Sequence, residues 1–324
     1  MKLRIATFNL ENWDDVAGRL PTLDTRIAVV RPMLLRVNAD ILCLQEVNGQ
    51  GSPRELAALR RLFENTPYTN FEIATTLTAD GDAFAERNLV VASRFPIAGT
   101  RQFKHEFAPA PQYRKVTSVP PETAARDVEW ERAAFYARIE AAPDNIIHVV
   151  NLHLKSRIPS DIAGQQINSN TWRSISGFAE GFFVSSMKRV GQALEVRMFV
   201  DTIFDADPEA RVVVCGDFNA DLNDVPLAAI RGDVEDTGNG DLAGRVMLPC
   251  ERTVPESTRF TLYHQGRPNM LDHILLSRPM LPFYRRTEIH NELLHDESIA
   301  FAMDTKFPEP DHAPVIAEFE FPDA

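Results

Sequence analysis

A chain of 324 residues with 44% hydrophobic, 25% charged and 9% aromatic side chains has globular composition, with length for one large domain or two modest ones. Its formal net charge of −12 disfavours tight binding along a long nucleic-acid backbone, while leaving room for a local basic groove or for bound cations. No run approaches the apolar length that spans a bilayer, so no stable membrane insertion is expected.

The chain opens "MKLRIATFNLENW". The apolar run after Lys2 is too short for a signal-peptide core and is broken by Arg4 and Asn9, which gives a cytoplasmic location as the expectation. The same residues predict a first strand at 3–9. A helix is expected over 22–37, then a strand at 40–45, "DILCLQE", whose unbroken apolar run suits burial on both faces. "SPRELAALRRLFENTP" predicts a helix with Ser52 as N-cap, Pro53 at its first position and Pro67 beyond its end. Strand-like runs follow at 71–77, 87–95 and 97–107. The runs 132–140 and 145–154, joined by "AAPD", read as a hairpin. Met187, Val190, Leu194 and Met198 recur at helical spacing and predict a helix over 180–204. A strand at 211–216, a helix at 225–231 and strands near 258–264, 269–276 and 313–321 complete the list.

Residues 108–128 and 156–178 are polar and turn-rich and read as surface loops, the kind that serve function or move. No repeat or linker divides the chain, so a single domain over 1–324 is expected, α/β or α+β with mixed sheets. Cys43 and Cys215 sit in apolar strand patterns and Cys250 stands alone. Three cysteines without paired spacing predict reduced thiols, with neither a disulfide frame nor a zinc site.

One grammar repeats: an apolar strand, then polar residues of metal-ligand type where it stops. "TFNLEN" brings Asn9 and Glu11; "LQEV" brings Gln45 and Glu46; "NLHLKS" brings Asn151, His153 and Lys155; "GDFNAD" brings Asp217 and Asn219. "LDHILLS" carries Asp272 and His273, and "DHAPV" opens with Asp311 and His312. Ligands of open sheets gather beyond strand ends, so six such strands suggest one pocket. The donors are mainly oxygens, which selects Mg2+ or Mn2+ over zinc, and the implied chemistry is cation-assisted attack of water on a phosphate ester. Blander readings hold elsewhere. His273 faces away from Asp272 on a strand and is structural. Glu11 reads as solvated, and Asp14, Asp15 and the acidic residues of 233–256 and 288–297 read as surface charges.

Taken in order, "TFNLEN", "LQEV", "NLHLKS", "GDFNAD", "LDHILLS" and "DHAPV" resemble the endonuclease/exonuclease/phosphatase superfamily, the deoxyribonuclease-I-like group. The resemblance runs from residue 4 to about 320, and "GDFNA" and "DHAPV" are its most specific parts. It implies a four-layer α-β-β-α sandwich of two mixed β-sheets flanked by helices. It implies Asn9, Glu46 and Asp311 at the metal, with Glu46 the principal ligand. It also implies Asp217 orienting or deprotonating the attacking water, with His312 the alternative base, Asn219 holding that water or a phosphate oxygen, and His312 on the scissile phosphate, steadied by Asp272. His153 would touch the phosphate from the other side. Asn88 and Lys155 are candidate substrate contacts, and Arg87 is expected to pair with a nearby acid.

The function so implied is metal-dependent hydrolysis of a phosphodiester by activated water, first as a nuclease on DNA or RNA. Trp13, Trp172 and Phe178 are candidates to stack bases at the mouth. The alternative is a phosphodiesterase or phosphatase for a small or lipid phosphoester, for which the aromatics of 170–184 suggest an interfacial surface. A non-catalytic module of the same fold is disfavoured by the intact Glu46, Asp217, Asp272 and His312. No oligomeric state follows from the sequence.

Overall fold

Alternation along the first strand, β1 (Lys2–Trp13), sets the layering. Leu3 and Ile5 face one way and Ala6, Phe8 and Leu10 the other, and both faces are buried, as a strand between two layers requires. The computed structural model describes residues 1–142, 145–169, 171–302 and 306–322.

Two six-stranded sheets carry the chain. The first runs, edge to edge, through β11 (Tyr284–Ile289), β12 (Val315–Glu320), β1, β2 (Ile41–Val47), β4 (Asn88–Ser93) and β3 (Glu72–Thr75). The second runs through β9 (Met247–Pro249), β10 (Asp272–Ser277), β8 (Val212–Asp217), β7 (Asn145–His153), β6 (Ala134–Ala142) and β5 (Ile97–Phe103). Each sheet is mixed in the same way: one central pair is parallel, β1 with β2 and β7 with β8, and every other pair is antiparallel.

The sheets stack through a shared apolar core in which Ile5, Ile41 and Val91 meet Ile147, Val213 and Ile274. Their outer faces are covered by helices. On the first lie α1 (Leu23–Val37) and α2 (Ala57–Phe63); on the second lie α3 (Ile175–Ala206) and α4 (Val225–Arg231). The result is the expected α-β-β-α sandwich. Local chemistry fixes the helix ends: Thr22 Oγ1 accepts from Thr25 N, and Ser174 Oγ accepts from Gly177 N.

Several expectations change in detail. Helix α2 begins at Ala57 rather than Pro53, because Gln50 and Glu55 exchange two 2.8 Å backbone hydrogen bonds and fold 51–54 into a turn. Gln50 Oε1 then caps the helix by accepting from Ala58 N at 2.8 Å. Helix α3 starts five residues earlier than its apolar spacing suggests, since Ser174 supplies the cap. Of the strand expected at 258–264, only Leu262–His264 forms. The β6–β7 hairpin is present, and residues 143–144 of its expected turn lie outside the described residues. All three cysteines are buried and unbridged.

Two acids expected at the surface are interior. Asp14 accepts from Arg19 at 2.5 Å and from Asn48 at 2.9 Å. Glu251 is fully buried against His273 Nδ1 at 2.5 Å, while His273 Nε2 lies 2.8 Å from Ala220 O. That confirms His273 as a structural residue pointing away from Asp272. Among the described residues, no helix is long and apolar enough to cross a membrane.

Candidate active site

Strand parity carries the inward-facing side chains of both sheets to a common end. On β8, Val213 and Cys215 face the inter-sheet core and Asp217 is next on that face; on β7 the same series runs Ile147, Val149, Asn151, His153. Asn9 continues the series of Leu3 and Ile5. Antiparallel neighbours deliver their residues to this end from their starts: Asp272 is the first residue of β10, and Asp311 and His312 precede β12.

Glu46 is the exception. Its parity matches Leu42 and Leu44, which face the helices, so regular alternation would aim it away from the centre. Instead its φ is +57° and the β1–β2 and β2–β4 registers shift beside it. This local twist brings its carboxylate to Asn12 N (3.0 Å, through Oε2) and to within 3.8 Å of His153 Nε2. Gly216 is equally specific. Its φ is +140°, and a Cβ there would lie 2.0 Å from Leu152 O, so only glycine lets the β8 backbone pass β7 and present Asp217.

Asp217 is the hub. Its Oδ2 accepts from Asn9 Nδ2 at 3.1 Å and lies 3.3 Å from His153 Nε2 and 4.0 Å from His312 Nε2. Its Oδ1 accepts from Asn219 N at 2.8 Å, and Asn219 Nδ2 donates to Leu154 O at 3.1 Å. Asn9 is itself oriented by Glu11 N, which donates to its Oδ1 at 3.0 Å. His312 Nδ1 meets Asp272 Oδ2 at 2.7 Å, leaving Nε2 free to face Asp217 and, at 4.0 Å, Asp311 Oδ1.

Burial and neighbours separate the titrations. Burial pushes Asp217 up to about 6, against the pull of His312. Burial raises Asp311 as well, reinforced by Glu11 and Glu46. Burial alone would lower His312, but Asp272 and Asp217 overcome it and hold the imidazole protonated well above its usual range. His153 goes the other way: burial, then Arg132, His312, Arg87 and Lys155, keep it neutral. One imidazolium and one neutral imidazole thus flank a carboxylate poised near neutrality.

Not every expected residue arrives. Asn88 is fully buried and its amide is engaged on all sides: Nδ2 donates to Val47 O and Phe84 O, and Oδ1 accepts from Phe84 N, each at 2.8 Å. It ties the β2 end to the loop before β4 and has no group left for a substrate. Trp13 is buried under Arg26, 4.7 Å above its ring, and cannot stack a base. Gln45 and Asn151 lie below the centre, where Gln45 Nε2 donates to Thr7 Oγ1 (3.0 Å) and Asn151 Oδ1 (2.7 Å) and so bridges the two sheets. Asp221 stays local, its Oδ1 accepting from Leu222 N. Glu11 is not solvated; burial raises its carboxyl beside Arg26, Lys306 and Glu46.

Lys155 is half-buried at the mouth and reaches Ser156 Oγ at 3.0 Å. Arg87 makes no ion pair among the described residues. Both line a cleft of about 710 Å3, together with Tyr113, Glu131, Ile158 and Lys188. Sequence reasoning missed Arg132. Its Nη1 lies 3.5 Å from His153 O, and its buried charge feels Glu46 and Asp217. It stands just before β6 in "WERAAFY", where no motif marks it.

The donor set fits a hard divalent cation. Glu46, Asp217, Asp311 and Glu11 crowd together, three of them held above the usual carboxylate range, and Asp272 Oδ1 is buried without a hydrogen-bond partner. Ligand atoms of Asp217, Asp272 and His312 also lie within 4.8 Å of one another. Asp272 Oδ2 already bonds His312 Nδ1, so Asp272 could offer a cation only its Oδ1; Asn9, Glu46 and Asp311 are further donors that could hold one.

Stacked mixed sheets with this centre at one end define the deoxyribonuclease-I-like fold. The model described as "Endonuclease/Exonuclease/phosphatase family" matches residues 17–292, and the chain belongs to that family. Its members are phosphoric ester hydrolases. Among solved structures, a Bacteroides thetaiotaomicron endonuclease/exonuclease/phosphatase family protein superposes with TM-score 0.59 at 16% identity, covering 98% of this chain and 95% of that one. Truncated Caenorhabditis elegans TDP2 gives 0.57 at 17%, covering 98% and 97%. A B. thetaiotaomicron mannosyl-6-phosphatase gives 0.60 at 16%, covering 98% and 100%. At these identities the likeness is one of fold. No curated protein sequence matches the chain.

Proposed function

We propose that this chain is a divalent-cation-dependent hydrolase of phosphoesters, acting through water activated by Asp217. The observation that carries the reading is the convergence on Asp217 Oδ2 of His153 Nε2 (3.3 Å) and His312 Nε2 (4.0 Å) from opposite sides, beside Glu46. A carboxylate held near 6 is largely ionised at neutral pH yet basic enough to accept a proton from water. Asn219 N, on the other oxygen, fixes its orientation. His312, protonated through Asp272, offers an N–H to charge growing on the phosphoryl oxygens or leaving group. Neutral His153 offers a second donor from the opposite side, and Arg132 adds fixed positive charge behind it. Asn9, Glu46 and Asp311 would hold Mg2+ or Mn2+, which polarises the phosphate and helps to neutralise its charge.

A nuclease and a phosphodiesterase or phosphatase of small or lipid esters share this chemistry. The second gains support from the cleft beside the centre, whose lining balances Arg87, Lys155 and Lys188 with acids such as Glu131 instead of forming a basic track. A panel of plasmid and single-stranded DNA, RNA, bis-(p-nitrophenyl) phosphate, inositol phosphates and sphingomyelin, with Mg2+ or Mn2+ and with chelator, tests the proposal. The expected result is chelator-sensitive hydrolysis that disappears in Glu46→Ala and His312→Ala. Full activity in either variant overturns the site assignment, and no turnover by the wild type overturns the activity.

A further inference from the structure

The first three turns of α3 lack any exposed charge. Ile175 is 87% exposed, Phe178 40%, Phe182 39% and Phe183 50%. The one acid there, Glu180, is turned inward, where Tyr113 Oη and the backbone amides of Val116 and Thr117 donate to it. That anchorage lays the 113–119 strap beside the helix and holds out Val116 (62% exposed) and Val119 (60%). The surface is built, not frayed. Trp172, Phe178 and Phe182 pack edge to face at 5.8 and 5.0 Å, and Tyr113 packs on Phe183 at 5.1 Å. Gly181 lets Trp172 and Ser160 O approach within 2.8 and 2.6 Å of where its Cβ would stand.

A contiguous apolar face of this kind needs an occupant, and its surroundings identify one. Segments 113–131 and 155–189, which carry the face and its border with the cleft, hold eight Lys/Arg and six Asp/Glu in a chain of net charge −12. Arg114, Arg126 and Arg173 are exposed and form no ion pair among the described residues. An apolar patch beside guanidinium groups that no carboxylate pairs with complements an anionic lipid surface. A second copy of the chain would set like charges against each other. Single-stranded nucleic acid would want flat ring faces, whereas these rings pack edge to face and are mixed with Ile and Val. The face is also continuous with the cleft, because Tyr113, Ile158, Val184 and Lys188 belong to both neighbourhoods.

We propose that this face is a peripheral docking surface for an anionic bilayer, with the first turns of α3 and the 116–119 strap entering the headgroup layer and the catalytic cleft opening at the lipid surface. The test is co-sedimentation of the full chain with phosphatidylcholine vesicles, with and without phosphatidylglycerol. The wild type is expected to sediment with the phosphatidylglycerol vesicles. The exposed double variant Ile175→Asp/Phe182→Asp should lower that binding on the order of tenfold or more, with hydrolysis of the soluble bis-(p-nitrophenyl) phosphate unchanged. Arg114→Glu/Arg173→Glu should remove the preference for phosphatidylglycerol. The proposal is overturned if the wild type ignores both vesicles or if the apolar double variant binds like the wild type. It is equally overturned by a wild-type dimer that the double variant dissociates, or by single-stranded DNA binding that the variant loses while vesicle binding persists. The soluble-ester assay reports the catalytic reading separately, so failure of either can be told from failure of the other.

Discussion

Asp272→Asn isolates electrostatics from shape at the centre. The amide keeps the volume of the carboxylate and can still accept from His312 Nδ1, which lies 2.7 Å from Oδ2 in the wild type; what it removes is the charge. Two opposite charges about 4 Å apart at an effective dielectric of about 20 attract by about 4 kcal/mol. Part of that is recovered by the retained hydrogen bond and by Asp217, which also stabilises the imidazolium, so a net loss of roughly 2–3 kcal/mol is expected. At about 1.4 kcal/mol per tenfold, kcat/KM at neutral pH should fall roughly 30- to 150-fold. The direction in pH is fixed as well. Asp272 raises His312, so without it the imidazole loses its proton at lower pH and the alkaline limb of the rate profile moves toward acid. The acid limb, set by Asp217 near 6, should lie at or below that value, since a nearby cation favours the carboxylate. The assay is steady-state hydrolysis of bis-(p-nitrophenyl) phosphate across pH, with thermal unfolding as the control for folding. An unmoved alkaline limb in a folded Asp272→Asn protein would refute the role given to the Asp272–His312 pair.

Arg132→Met should raise KM for an anionic ester on the order of tenfold with a smaller change in kcat, because its buried charge lies behind His153, close enough to feel Glu46 and Asp217 without bonding to Asp217; steady-state kinetics separates the two. Gly216→Ala should cost roughly 2–4 kcal/mol in urea unfolding, since it combines a φ of +140° with a Cβ 2.0 Å from Leu152 O; wild-type stability would disprove the strain. For Glu251→Gln the pH dependence is informative. Burial lowers His273, but Glu251 prevails and leaves it above its ordinary 6.5, so the protonated pair stabilises fully below that pH and fades as pH rises through the folded value. The stability gap between wild type and variant should therefore be widest below pH 6.5 and shrink as the pH rises through the raised value; a gap that grows with pH contradicts the assignment.

Much of this was legible because strands and site obey one period. Asp217, His153, Asp272 and Asn9 fall on inward positions of runs whose apolar members already declare the core, and His273 falls on the opposite face. What the sequence hid are departures from that period. Glu46 sits on the wrong parity and reaches the centre through a positive φ and a shifted register. Asn88 looks like a pocket amide, yet a loop closing over it claims all its bonds. Arg132 belongs to no motif and is recruited only when the β6–β7 pairing brings its segment under His153. Helix α2 starts late because a local two-bond turn between Gln50 and Glu55 competes successfully for Pro53.

The deeper reason that single residues read poorly is that the centre belongs to neither sheet. Asp217 and His153 come from the second sheet, while Asn9 and Glu46 come from the first and His312 from the approach to β12. The 3.1 Å bond from Asn9 to Asp217 crosses the seam between them. Beneath it, Gln45 holds Asn151 at 2.7 Å, and Asn151 Nδ2 returns hydrogen bonds to Leu44 O and Val90 O at 3.0 and 2.9 Å. These buried polar groups have no water to fall back on, so they fix the spacing and register of the two sheets where apolar packing alone would tolerate sliding. The hydrolytic geometry is therefore a property of the sandwich as a whole. Loosening the Gln45–Asn151 bridge should move His153 and Glu46 relative to Asp217 without touching any of them, which makes the bridge as much a determinant of the site as the groups that face the substrate.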